Sequence, residues 1–137
     1  MKKRKRVNVM LELKFQKPVY DGKSGDHEFR EGRNTTIRKG RKWHIKPMGV
    51  IPKGQSSLVR LIDADTGEKL GIGYIIDTSI KQFEELKRVD VIHEHDYNLT
   101  NLDELYKRMV TLYRNFNNKT WVTIVNFRFD HEKQTVN

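Results

Sequence analysis

Cysteine is absent from the 137 residues. Disulfides and thiolate metal sites are therefore excluded, and the composition suits a reducing compartment such as the cytoplasm. No apolar stretch approaches the about 20 residues that a membrane-spanning helix needs. The basic start, Met1-Lys2-Lys3-Arg4-Lys5-Arg6, is followed by alternating residues rather than an unbroken apolar run, so it does not read as a secretory signal. Acidic residues are scarce in the first part of the chain. Residues 1–60 hold 17 Lys/Arg and 5 Asp/Glu, a balance of +12, whereas residues 61–137 hold 10 and 13, a balance of −3. The total of +9 is thus concentrated at one end, as in chains with a polyanionic partner such as RNA or DNA. The length suits one domain with its own core.

Hydrophobic periodicity organises most of the rest. Residues 1–6 read as a disordered basic tail, because like charges repel. Residues 7–15 alternate Val7, Val9, Leu11, Leu13 and Phe15 on one side and read as a half-buried strand. Residues 16–34 read as a loop with one helical turn near His27–Glu31. A second strand is expected over 35–38, and loops over 39–57, where Pro47 and Pro52 fall. Leu58–Ile62 and Leu70–Ile76 flank a polar, glycine-bearing loop and predict a β-hairpin. Gly71 and Gly73 mark a bulge or close packing in its second arm.

Two helices follow. Gln82–Val89 places Phe83 and Leu86 inward. The second is capped by Thr100 or Asn101 and carries Leu102, Leu105, Met109, Leu112, Tyr113 and Phe116 at three- and four-residue spacing, with Asn117-Asn118 as its stop. Trp121–Phe129 closes the fold as a strand, with Trp121 in the core, and 130–137 form a polar tail. Strands and helices do not alternate regularly, which excludes a doubly wound parallel sheet. The expected architecture is a small mixed, barrel-like β-sheet with helices packed on it.

The most informative stretch is Thr35-Thr36-Ile37-Arg38-Lys39-Gly40-Arg41-Lys42-Trp43. It combines hydroxyls, four cations and an indole, the groups that a nucleotide can use together. Side chains alternate along a strand, so Thr36 shares a face with Arg38 and Thr35 with Ile37. With Ile37 toward the core, Thr36 and Arg38 line a cleft. Arg38, Lys39, Arg41 and Lys42 suit phosphate contact. Trp43 is either core or a stacking platform. Tyr74 and Tyr97 are further stacking candidates, Tyr97 the more exposed. His93-Glu94-His95-Asp96 lacks the convergent ligand set that zinc requires. No cofactor is called for, and no metal site is expected.

On these residues the chain resembles the ASCH domain, a branch of the PUA-like superfamily. The family pattern Gly-basic-basic-Thr-x-Thr-x-Arg is similar to Gly32-Arg33-Asn34-Thr35-Thr36-Ile37-Arg38. Pro47-Met48-Gly49-Val50-Ile51, Gly73–Thr78, Phe83–Leu86, Leu102–Leu105 and Trp121–Phe129 follow in the family's order, so the resemblance covers roughly residues 29–129 of a single domain over 7–129. It implies an α+β fold on a PUA-like β-barrel with two or three helices packed on it. It also implies binding of RNA or a nucleotide-like ligand in a cleft. Read from the residues themselves, Arg33, Thr36, Arg38, Lys39, Arg41 and Lys42 form the cationic mouth of that cleft, with Trp43 and Tyr97 as stacking candidates and Glu94 or Asp96 closing the pocket. One branch of the family hydrolyses N4-acetylcytidine with a Lys, a Thr and a Glu. The Thr corresponds to Thr36, the Lys to Arg33 or Asn34, and the Glu to Glu94 or Asp96. Thr36 would need a base, and arginine stays protonated and cannot serve. Three readings follow from the sequence: an RNA or nucleotide binder, a metal-independent amidohydrolase, and a non-catalytic interaction protein.

Overall fold

A computed structural model describes residues 11–20, 22–41 and 58–134. The expectations for the basic tail, for residues 7–10, for Lys42, Trp43 and Pro47–Ile51, and for residues 135–137 lie outside the described residues.

Seven strands are present among the described residues. They are β1 (Leu11–Phe15), β2 (Val19–Tyr20), β3 (Lys23–Ser24), β4 (Gly32–Lys39), β5 (Leu58–Asp63), β6 (Lys69–Gln82) and β7 (Trp121–Phe129). Five of them form a mixed sheet in the order β1-β5-β6-β7-β4. The β1–β5 pair is parallel, and the other three pairs are antiparallel. The β2–β3 pair stands apart as a small ribbon. The helices are a single turn, α1 (Arg88–Val91), and α2 (Leu102–Leu112).

Among the described residues the sheet is not closed into the expected barrel-like form, and β1 and β4 are its outermost strands. What links those strands is a side chain: Arg38 Nη1 of β4 donates to the Lys14 carbonyl of β1 at 2.5 Å.

Strand β4 forms because Thr35, Thr36 and Ile37 are β-branched and suit a pleated, buried surface. Gly32 (φ 87°) and Gly40 (φ 89°) bound it in left-handed conformations that glycine adopts without steric cost. Strand β7 is central and buried on both faces. Val122 and Ile124 pack toward the helices with Ile37, Leu105 and Met109. Val125, Phe127 and Phe129 pack on the other side with Leu13, Phe15 and Leu61. This explains the nearly continuous apolar run of residues 121–129.

The hairpin is present as expected. Asp63 organises its turn by accepting from the Asp65 and Thr66 amides, both at 2.8 Å. The register shifts between Leu61 and Ile62, opposite Gly71 and Lys69. A bulge therefore falls beside Gly71.

Several expectations differ. No helical turn forms at His27–Glu31; that segment is irregular. The helix expected over Gln82–Val89 is instead the end of β6, a 3₁₀ turn at Phe83–Glu85 and then α1, although Phe83 and Leu86 are buried as anticipated. Helix α2 is capped by Asn101, whose side chain accepts from the Asp103 and Glu104 amides. It stops at Leu112 rather than at Asn117, and Leu112 is exposed. Trp121 is 45% exposed and not core, because it lies at the end of the sheet. There the Arg41 guanidinium stands 5.6 Å from its ring centre. The chain after β7 is not only a tail: Gln134 bonds back to the Ile72 backbone at 2.7 and 2.9 Å.

Candidate functional site

Residues on a strand alternate between faces, and antiparallel partners point the same way. Thr36 pairs with Val125 and Arg38 with Thr123, so both leave β4 on the face that holds Phe15. Both line a cavity of about 250 Å³, walled by the end of β1, by Glu94–Asp96 and by one side of α2.

The Glu94–Asp96 wall is held against the outer edge of β4. The Thr35 amide donates to the His93 carbonyl at 2.8 Å, and the His95 amide donates to the Thr35 carbonyl at 3.2 Å. A short parallel bridge of Thr35 with Glu94 results. Beyond it the chain turns away toward α2 and leaves the cavity beside Thr36.

Arg38 is the best-fixed group in the site. Its Nε donates to Thr36 Oγ1 at 3.2 Å and its Nη1 to Lys14 O, while its guanidinium carbon lies 4.7 Å from the Phe15 ring centre. Burial pushes the Arg38 guanidinium below the usual arginine range, while Tyr113 and Glu94 oppose that shift. It stays charged, as arginine does in proteins.

Two acidic residues line the cavity with this cation. Glu94 is 1% exposed and its Oε1 accepts from the Asp96 amide at 3.1 Å. The same oxygen lies 2.7 Å from His95 Nδ1, out of line for a hydrogen bond, so the contact counts as proximity of the two groups. Asp96 is 5% exposed and caps the following turn through the Asn98 amide at 3.1 Å. Burial holds its carboxyl above the ordinary aspartate value; the Asn98 amide and Arg108, whose Nη2 is 3.7 Å away, pull against that. The cavity thus presents a hydroxyl, two guanidinium groups and two carboxylates around one small space. Donors and acceptors on opposite walls suit the edge of a polar heteroaromatic ring.

The residues named from sequence divide. Thr36, Arg38, Glu94 and Asp96 line this cavity together. Arg33 does not: it stands three positions from Thr36, pairs with Arg128, and therefore leaves on the opposite face. Lys39 also lies on that opposite face, and its Nζ donates to the Arg114 carbonyl at 3.3 Å. Arg41 is beside Trp121, and Tyr97 borders a neighbouring cleft. Tyr74 is 42% exposed, on the same outer face as Arg33 and Arg128.

Lys14, Phe15, Arg108 and Tyr113 line the cavity without having been read as site residues from the sequence, and His95 joins them from the segment read as a polar loop. Arg108 precedes Met109 in a helix and has the signature of a solvent-facing residue. Lys14 and Phe15 end a strand some twenty residues earlier, and only the fold brings them to Arg38. Among the described residues, no group of three or more His, Asp or Glu side chains is placed to hold a metal ion. No helix of the described residues is long and apolar enough to cross a membrane.

No family model matches the chain. No curated protein matches it either. Among solved structures it is similar to the ASCH domain from Lactobacillus crispatus JV V101, at 14% identity over 74% of this chain and 64% of that one, with a TM-score of 0.43. It is also similar to a DUF984 protein from Enterococcus faecalis V583, at 14% identity over 69% of this chain and 61% of that one, again with a TM-score of 0.43. The aligned region spans less than two thirds of either protein.

Proposed function

We propose that this chain is an ASCH-type, PUA-like domain that binds RNA or a nucleotide-like ligand, taking one base into the Thr36–Arg38 cavity. One observation carries the reading: Thr36 and Arg38 converge on a cavity whose facing wall is Glu94 and Asp96. The carboxylates would accept from an exocyclic amine, and Arg38 and Arg108 would donate to ring carbonyls or to a phosphate. The volume of about 250 Å³ suits one ring better than a run of nucleotides. It lies below the about 300–1,000 Å³ of drug-sized pockets. The net charge of +9 supports a polyanionic partner and a salt-dependent affinity.

The test is a titration with ribonucleosides, their 5′-monophosphates and short RNA at two salt concentrations. Binding should weaken in Arg38→Ala and Thr36→Val. Unchanged affinity in both variants would remove this reading.

The amidohydrolase reading draws on a different observation: Thr36 and Glu94 line one cavity, with the Lys14 backbone at its rim. Arg38 supports the binder instead, since it donates to the Thr36 hydroxyl and cannot take its proton. Incubation with N4-acetylcytidine distinguishes the two. Release of cytidine that disappears in Thr36→Val would establish hydrolysis.

A further inference from the structure

A second cleft, of about 640 Å³, adjoins the first and shares His95 with it. Its inner wall is aromatic. The Phe29 ring stacks on His95 with centres 5.5 Å apart and planes 26° apart, and lies 5.2 Å from the Phe129 ring. At its border stands Tyr97, 73% exposed and one residue past Asp96, which lines the first cavity. A tyrosine that exposed adds little to the core and offers its ring to a ligand.

Arg30 lines the same cleft and is held in place from behind. Its amide donates to Asn34 Oδ1 at 2.8 Å, and Asn34 Nδ2 returns a bond to the Arg30 carbonyl at 2.9 Å. Asn34 is itself fully buried. Arg30 Nε donates to the Glu94 carbonyl at 3.0 Å. Its two Nη nitrogens have no protein partner among the described residues. Glu28 borders the cleft as well, so an anion is welcome only on the Arg30 side. A pre-positioned guanidinium beside exposed and stacked rings is a chemistry suited to one nucleotide, phosphate to the cation and base to the ring.

Resting on the reading of the first cavity, we infer that the Arg30–Tyr97 cleft holds the neighbouring nucleotide, so that the ligand is a single-stranded ribonucleotide step rather than a free nucleoside. His95 would separate the two bases, and Arg30 would meet the phosphate between them.

The test is calorimetric titration of the full chain with the four ribonucleoside 5′-monophosphates and the four homodinucleotides. For the preferred base, the dinucleotide should bind on the order of ten-fold tighter than the monomer, as one stacked base implies. In Tyr97→Ala and in Arg30→Gln that ratio should fall to about one. Tyr97 is exposed, so its variant should fold, and a thermal melt checks this. A ratio of one in the unmodified protein, or a ratio that survives both substitutions, overturns the inference and leaves the first cavity standing. If neither monomers nor dinucleotides bind, or if Arg38→Ala binds both as before, the reading of the first cavity fails and this inference fails with it.

Discussion

Arg38 Nη1 donates to the carbonyl of Lys14 at 2.5 Å, and through that bond one side chain joins the two outermost strands of the sheet among the described residues. The same guanidinium holds the Thr36 hydroxyl and covers Phe15. The group proposed to meet the ligand is therefore also a structural tie.

Arg38→Lys tests that double role. Lysine keeps the charge but lacks the planar fork that reaches Thr36 and Lys14 together. The variant should lose about 1–3 kcal/mol of stability in urea unfolding, since hydrogen bonds to charged groups are of that size. Ligand affinity should fall as well. Unaltered stability would mean that the Lys14 contact contributes nothing in solution.

Asp96 sets a pH dependence. Burial raises its carboxyl above the ordinary aspartate value. In the window between about pH 4 and the raised value, the folded state binds more protons than the unfolded state. Stability should therefore fall as pH rises through that window. Unfolding of Asp96→Asn across the same range should show a flatter profile than that of the unmodified protein.

Asn34 should prove costly to remove. It is fully buried and bonds the Arg30 amide, the Arg30 carbonyl and the Gly32 carbonyl. Asn34→Ala leaves those groups unpaired, for a loss of about 2 kcal/mol in chemical unfolding. A neutral result would show that water replaces the amide.

Gly71→Ala tests the bulge. A Cβ there would lie 2.8 Å from Gln134 Oε1 and 2.9 Å from Phe129 Cε1. Gln134 would have to release the Ile72 backbone. A loss of about 1–3 kcal/mol is expected, as for other overpacked sites. Gln134→Ala should relieve part of it in the double variant.

Trp121 and Phe127 lie on the same strand and should behave differently. Phe127 is fully buried, so Phe127→Ala should cost about 3–5 kcal/mol. Trp121 is half exposed and contacts Arg41 in a way worth about 1 kcal/mol. A thermal melt of Trp121→Ala should stay close to that of the unmodified protein.

The sequence by itself determined what depends on near neighbours. The hairpin, the capped helix, the closing strand and the pairing of Thr36 with Arg38 on one face all follow from period, turn chemistry and alternation. Alternation also separates Arg33, three positions from Thr36, from the Thr36 face, although the family pattern groups the two. Trp121 was misread because its strand is apolar on both faces, while the end of a sheet is not covered like its middle. Only the tertiary structure decided that the described strands leave the sheet open, that Lys14 and Phe15 meet Arg38, and that Arg108 faces a cavity. Those are meetings of residues far apart along the chain. Which side chain closes a gap there depends on how whole elements pack, and no local pattern carries that information.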